Sequence, residues 1–143
     1  MKIITYPNEI LRMKTQTIEN FSDIQKMVPE FVKTMLDHDG IGLAAPQIGK
    51  SIKLIAIQTK DGPKIFINPK ITSKSLKKEI AEEGCLSLPK IFGKVKRAYK
   101  VTVKFQDENG NKNKITAKGL YARVLQHEID HLDGILFIDK IIK

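Results

Sequence analysis

The stretch "QHEIDHLDG", Gln126–Gly134, sets two histidines four residues apart, with a glutamate directly after the first. On a helix, residues four apart lie one above the other on the same face, so His127 and His131 can aim both rings at one metal ion. Glu128 sits about 100° round the axis, where its carboxylate can lean over a metal without binding it. That is the arrangement of a general base acting on water activated by the metal. Upstream, Ala122, Leu125, Ile129 and Leu132 form one apolar stripe, and Gly134 supplies a stop. The stripe buries the helix, so the histidines are carried inside. Asp130 falls on the far side, free for a salt bridge or a cap.

Two histidines leave a third ligand to find, because catalytic sites of this kind use three protein ligands and one open position. Asp133 is too close along the helix, and Asp139 is a weak candidate. His38 stands at a helix end between Asp37 and Asp39, where a surface histidine favoured by the helix dipole is the simpler reading. Cys85 lies in "EEGCLSLP", with Gly84 permitting a close backbone approach and Pro89 ending any strand nearby. A thiolate would be a strong soft ligand. Taken by itself, a lone cysteine reads as a small buried hydrophobe.

Working outward, 143 residues is the length of one domain, 1–143, which buries roughly 68–70% of its unfolded surface without disulfides. A single cysteine fits a reducing compartment. The opening "MKIITYPNEILRMK" is not a signal peptide, and no segment has the ~18 apolar residues of a membrane span. The net charge is +9. Its lysines are scattered along the chain, as at Lys74, Lys77, Lys78, Lys94, Lys96, Lys112 and Lys114, without a nucleic-acid motif or much aromatic interleaving. They read as a solvated surface, or as a basic pole facing a large RNA particle.

Ile24, Met27, Val28, Phe31, Val32, Met35 and Leu36 follow a helical period. "SDIQ" at Ser22–Gln25 would cap this helix, Pro29 would kink or start it, and Gly40 and Gly42 would end it. "SIKLIAIQ" and "KIFINP" read as strands. Asn109-Gly110 marks a hairpin between an alternating run at Val101, Val103 and Phe105 and a second at Ile115 and Ala117. The expected fold class is α+β: short antiparallel sheets packed around a C-terminal helix carrying the histidines, with an N-terminal helix.

Three segments resemble the signature motifs of the peptide deformylases: "GIGLAAPQ" at Gly40–Gln47, "EGCLS" at Glu83–Ser87 and "QHEIDH" at Gln126–His131. "YPNEILR", "INP" and "GLYARVLQHEIDHLDGILFIDK" extend the resemblance over nearly the whole chain. It implies that Cys85 is the third ligand beside His127 and His131. The metal would be one divalent ion, Fe(II) in the cell, with zinc, nickel or cobalt in a purified sample. The implied reaction is removal of the N-formyl group from formylmethionine on nascent chains, with release of formate. Glu128 would be the base, and the Gln47 side-chain amide and the Leu86 N–H the oxyanion donors. Gly40, Ile41 and Gly42 would pair with the substrate backbone as an added strand, with Gly84 opposite. Ile41, Leu120 and Val124 would line the methionine pocket. Arg123 would either border that pocket through its stem or form a surface salt bridge, and Glu83 and Arg97 would brace the cysteine loop. The implied setting is a monomer in a cytoplasm, with bacterial, organellar and phage-encoded forms all fitting. "FIDKIIK" stops short of the helix with which typical members continue. Any ribosome contact should then be weak and salt-sensitive, and the last residues dispensable for hydrolysis.

Overall fold

A computed structural model describes all residues, Met1–Lys143. Helix α1, Phe21–Asp37, is capped by Asn20, whose side chain accepts from the Asp23 N–H at 3.2 Å. The cap thus lies two residues before the expected Ser22, which instead donates to Asn20. Pro29 neither starts nor stops the helix, which runs through it. The lost hydrogen bond is offset by burial on either side: Ile24, Val28, Phe31 and Met35 all face the core, at about 1.5–3 kcal/mol for each large apolar side chain. The helix ends before either expected glycine. His38 is its C-cap and Asp39 turns left-handed at φ 55°, a conformation that aspartate tolerates.

The strands are β1 (Gly42–Ala44), β2 (Leu54–Thr59), β3 (Gly62–Lys74), β4 (Lys78–Cys85), β5 (Leu88–Ala98), β6 (Lys100–Gln106) and β7 (Lys112–Lys118). One five-stranded antiparallel sheet runs β1-β2-β3-β6-β7, and β4-β5 form a separate hairpin. The hairpin expected at Asn109-Gly110 joins β6 to β7, with Asp107 Oδ1 accepting from the N–H groups of Asn109 and Asn111. Pro89 does not end a strand. It lies near the start of β5, where the ladder is interrupted between the Cys85↔Leu88 and Glu83↔Gly93 pairs. A missing N–H costs no ladder bond there.

Period two divides the sheet between two layers. Leu54, Ala56, Ile65 and Ile67 pack with α1, while Ile55, Ile57, Phe66, Val101, Val103 and Phe105 pack with the second helix, α2 (Gly119–Leu132). The expected stripe Ala122, Leu125, Ile129 and Leu132 is buried, and so are Gln126, His127, Glu128 and His131 on the other faces. No helix is long and apolar enough to cross a membrane. The tail is not loose: after a 3₁₀ turn at Phe137–Lys140, Ile141 bridges Val95 and the Ile142 N–H donates to Lys94. A methyl at Gly93 would meet Ile141 at 2.6 Å. The sequence gives no sign of this packing, because a short mixed tail carries no periodic signal.

Helix α2 ends in a Schellman motif. The Ile135 N–H donates to Asp130 and the Gly134 N–H to His131, with Gly134 at φ 73°. A methyl at Gly134 would collide with the Arg12 backbone. Strain in the left-handed region, roughly 1–2 kcal/mol, then adds to a clash that no side-chain rotation relieves. Gly134→Ala should lower unfolding stability by more than about 2 kcal/mol in urea melts. A loss under about 0.5 kcal/mol, the scale of an ordinary surface change, would contradict this reading of the cap.

Candidate metal centre

Helix α2 delivers His127 and His131, and the end of β4 delivers Cys85. Their ligand atoms lie within 4.8 Å of one another. Cys85 Sγ is 3.4 Å from His131 Nε2. Glu128 stands beside this cluster, with Oε2 3.9 Å from His127 Nε2 and Oε1 4.0 Å from His131 Nε2. The other proposed ligands go elsewhere. Asp139 pairs with Arg12, and His38 Nδ1 meets the Thr34 carbonyl. Asp130 lies outside the cluster and pairs with Arg97 and Lys140, each at 2.9 Å.

The donor set suits a divalent transition metal. One thiol and two imidazoles converge, and one face is left open to a cleft of about 420 Å³. Only two buried side-chain polar atoms in the protein lack a hydrogen-bond partner, Glu128 Oε1 and His131 Nδ1. The first is a carboxylate oxygen 4.0 Å from His131 Nε2, beside the cluster.

Glu83 organises the rest. Its carboxylate accepts from Arg97 Nε at 2.6 Å and Nη2 at 2.9 Å, from Arg123 Nη1 at 2.6 Å and from His127 Nδ1 at 2.9 Å. Burial would raise its pKa, but the hydrogen bonds from His127 and Arg97 and the charge of Arg97 hold it well below the usual carboxylate range. An ionised Glu83 accepts the hydrogen bond of the His127 Nδ1–H and so leaves Nε2 as the ring nitrogen that faces the cluster. The brace between Glu83 and Arg97 matches expectation, and the grip on His127 does not appear in it. A strand signal was present, since Glu83 and Cys85 are two apart and share a face of β4.

Burial pushes Glu128 up to about 7, against the pull of His127 and Arg97. Burial lowers His127, but Glu128, Cys85 and Glu83 outweigh it and carry it to about 10. Burial and the neighbouring His127 keep His131 low. A cation at the cluster competes with the His127 proton, since a ligating imidazole must be neutral at the bonding nitrogen.

The cleft brings together every residue expected to bind substrate. Gly40, Ile41, Gly42, Gly84, Leu86, Leu120, Arg123 and Val124 all line it, with Gln47 at its floor. Ile41 and Leu120 are 51% and 67% exposed and form its rim, while Val124 lies deeper. Arg123 lines the cleft, but its salt bridge is not the expected surface one: its head bonds the buried Glu83 and the carbonyls of Val95 and Glu79. The glycines have a packing reason that was not anticipated. A methyl at Gly42 would stand 2.6 Å from Glu128 Oε2, and one at Gly84 would stand 2.7 Å from the Phe92 ring. Ser87 was also missed. It is fully buried and accepts from Gln47 Nε2 at 3.2 Å.

The sequence matches the profile described as polypeptide deformylase over residues 1–143. The chain belongs to the polypeptide deformylase family. The peptide deformylase of Thermodesulfovibrio yellowstonii is 47% identical over 147 residues, covering 99% of this chain and 88% of that protein. Among solved structures, the Thermotoga maritima peptide deformylase superposes with a TM-score of 0.97 at 38% identity, covering 99% of this chain and 97% of that one. The Synechococcus elongatus peptide deformylase, solved with actinonin, gives 0.95 at 37% identity and covers 99% and 79%. The α+β fold of the family is therefore that of this chain.

Removing the carboxylate at position 83 strands a guanidinium. Arg97 is 4% exposed, and its remaining partner is Asp130. Glu83→Ala should cost about 3–5 kcal/mol, as for breaking a buried pair, and should weaken metal retention with it. Urea unfolding and metal content of one preparation check this. A stable variant with full metal content would contradict the assigned role of Glu83.

Proposed function

We propose that this cleft hydrolyses the N-formyl group of formylmethionine at the start of nascent polypeptides and releases formate. The observation that carries the reading is the convergence of Cys85, His127 and His131 on one point, with Glu128 about 4 Å away at the floor of an open cleft.

Cys85, His127 and His131 hold one divalent metal, Fe(II) in the cell, with zinc, nickel or cobalt tolerated in a purified sample. When bound, the metal supplies a Lewis acid that makes a water acidic near neutral pH and polarises the formyl oxygen. Glu128 accepts the water proton and later returns it to the leaving amine. A carboxyl pushed up to about 7 suits both steps. Gln47 is held from behind, its Oε1 accepting from the Ala44 N–H at 2.9 Å, so its Nε2 faces Cys85 and the cleft. The Leu86 N–H lies in the turn between β4 and β5 and donates in none of the backbone bonds made outside helices and strands. These two donors serve the oxyanion.

Strand β1 is the sheet edge, paired only with β2. The Gln58 N–H bonds the Ile41 carbonyl, so the alternation of an antiparallel ladder turns the N–H and C=O of Gly42 outward. An extended substrate can add there as a further strand, between Gly40 on one side and Gly84 on the other. Val124, Ile41, Leu120 and the stem of Arg123 receive the methionine side chain. On this reading the protein works as a monomer in a bacterial, organellar or phage-host cytoplasm, with a weak, salt-sensitive contact to ribosomes.

The test is formate release from formyl-Met-Ala-Ser, with metal content measured on the same sample. The wild type should turn over. Cys85→Ser should lose metal and activity together. Glu128→Ala should keep metal and lose roughly 10²–10⁴ in rate, the usual contribution of a general acid–base group. Full activity in Cys85→Ser, or metal loss with an unchanged rate per bound metal in Glu128→Ala, would overturn these roles.

A further inference from the structure

Lysines that are scattered along the sequence are gathered by the sheet register. Strand β6 pairs with β7 without a shift, setting Lys100 opposite Lys118, Thr102 opposite Thr116, Lys104 opposite Lys114 and Gln106 opposite Lys112. Lys70 of β3 faces Lys104 from the other side. Directly opposed residues share a face and side chains alternate along a strand, so all of these project from one surface. It is the face turned away from α2, whose side of the same strands carries Val101, Val103, Phe105 and Ala117. Helix α1 covers the equivalent face over β2.

The patch therefore presents six lysines, two threonines and one glutamine, and no carboxylate. All six lysines are exposed and none forms a salt bridge. Like charges placed directly opposite one another destabilise a sheet. Here two cross-strand rows, Lys70–Lys104–Lys114 and Lys100–Lys118, repeat that arrangement. No carboxylate within salt-bridge distance offsets this repulsion, which leaves the face complementary to an anionic partner.

We propose that the outer face of β3-β6-β7 docks the sugar–phosphate backbone of duplex RNA. Lysines within a row are about 4.8 Å apart from strand to strand, and the two rows, four residues apart, lie about 13–14 Å apart along the strands, a flat grid of single charges suited to phosphates. Thr102 and Thr116, whose hydroxyls lie 3.1 Å apart between the rows, offer donors and acceptors to phosphate or 2′-hydroxyl oxygens. No aromatic ring projects from this face, so it has no platform for stacking unpaired bases and reads backbone and shape. None of the exposed large apolar residues stands on it either, which removes the wedge that a membrane-surface site uses. The patch gives a location to the ribosome contact proposed above, and it stands whether or not the cleft proves to be a deformylase.

The probe is a 20-base-pair RNA duplex, titrated by fluorescence anisotropy with the full chain across a salt series. Six lysine–phosphate contacts would give a slope of log K against log salt of about −5, taking ~0.9 per contact as for duplex DNA. Lys104→Thr/Lys114→Thr/Lys118→Thr removes three of them with a residue that favours strands. Lys2→Thr/Lys26→Thr/Lys60→Thr removes the same charge from exposed sites elsewhere. The first variant should bind at least tenfold more weakly and lose about two to three units of slope, while the second should lose less than threefold. The melting temperature and formyl-peptide hydrolysis are followed in parallel, separating loss of the face from loss of the fold or of the cleft. Equal losses in the two variants would reduce the effect to net charge and overturn the proposal. So would absence of duplex binding at 50 mM salt, or retention on phosphatidylserine vesicles or polyglutamate as strong as on RNA.

Discussion

One buried carboxylate holds the centre together. Glu83 accepts four hydrogen bonds, from Arg97, Arg123 and His127. These join the strand that carries Cys85 to the strand beside it and to the helix that carries both histidines. A carboxylate left unpaired at this depth would cost several kcal/mol. Two guanidiniums make it tolerable, and in doing so they fix its charge. That charge fixes the orientation of the His127 ring. The ligand geometry thus follows from an electrostatic constraint two bonds removed from the metal position.

The second constraint is the burial of α2 on nearly every side. A helix that is apolar all round would be the ordinary solution. Here one face carries Ala122, Leu125, Ile129 and Leu132, and the other faces carry Gln126, His127, Glu128 and His131, all buried. Each polar group needs a partner. Gln126 binds both backbone groups of Ala98, and His127 binds Glu83. Glu128 keeps one oxygen without a partner, beside the cluster. Tight approach of β1 holds it in place: Gly42 leaves no room for a side chain against Glu128, so its carboxylate is clamped between its own helix and the sheet edge.

The periodic parts of this molecule were legible in its sequence. The stripe on α2, the alternation at Val101, Val103 and Phe105 and the hairpin at Asn109-Gly110 are local patterns, and each formed as expected. The paired histidines and Glu128 were legible for the same reason. What escaped was non-local. Glu83 looks like any strand glutamate until β5 and α2 fold against it. Pro29 and Pro89 read as breaks, because their tolerance depends on burial around one and on a ladder interruption beside the other. The packing of Ile141 was hidden because its partner, Gly93, stands far away in sequence. The lysine rows of β6 and β7 looked scattered because register, not sequence order, makes them neighbours.

The central claim is that Cys85, His127 and His131 hold a metal and leave a position open. X-ray absorption at the metal edge of the zinc-loaded full chain tests it most directly. The expected first shell is one sulfur at about 2.3 Å, two imidazole nitrogens at about 2.0–2.1 Å and one further light donor, with the sulfur lost in Cys85→Ser. A shell with no sulfur, or one closed by a fourth protein side chain, would contradict it.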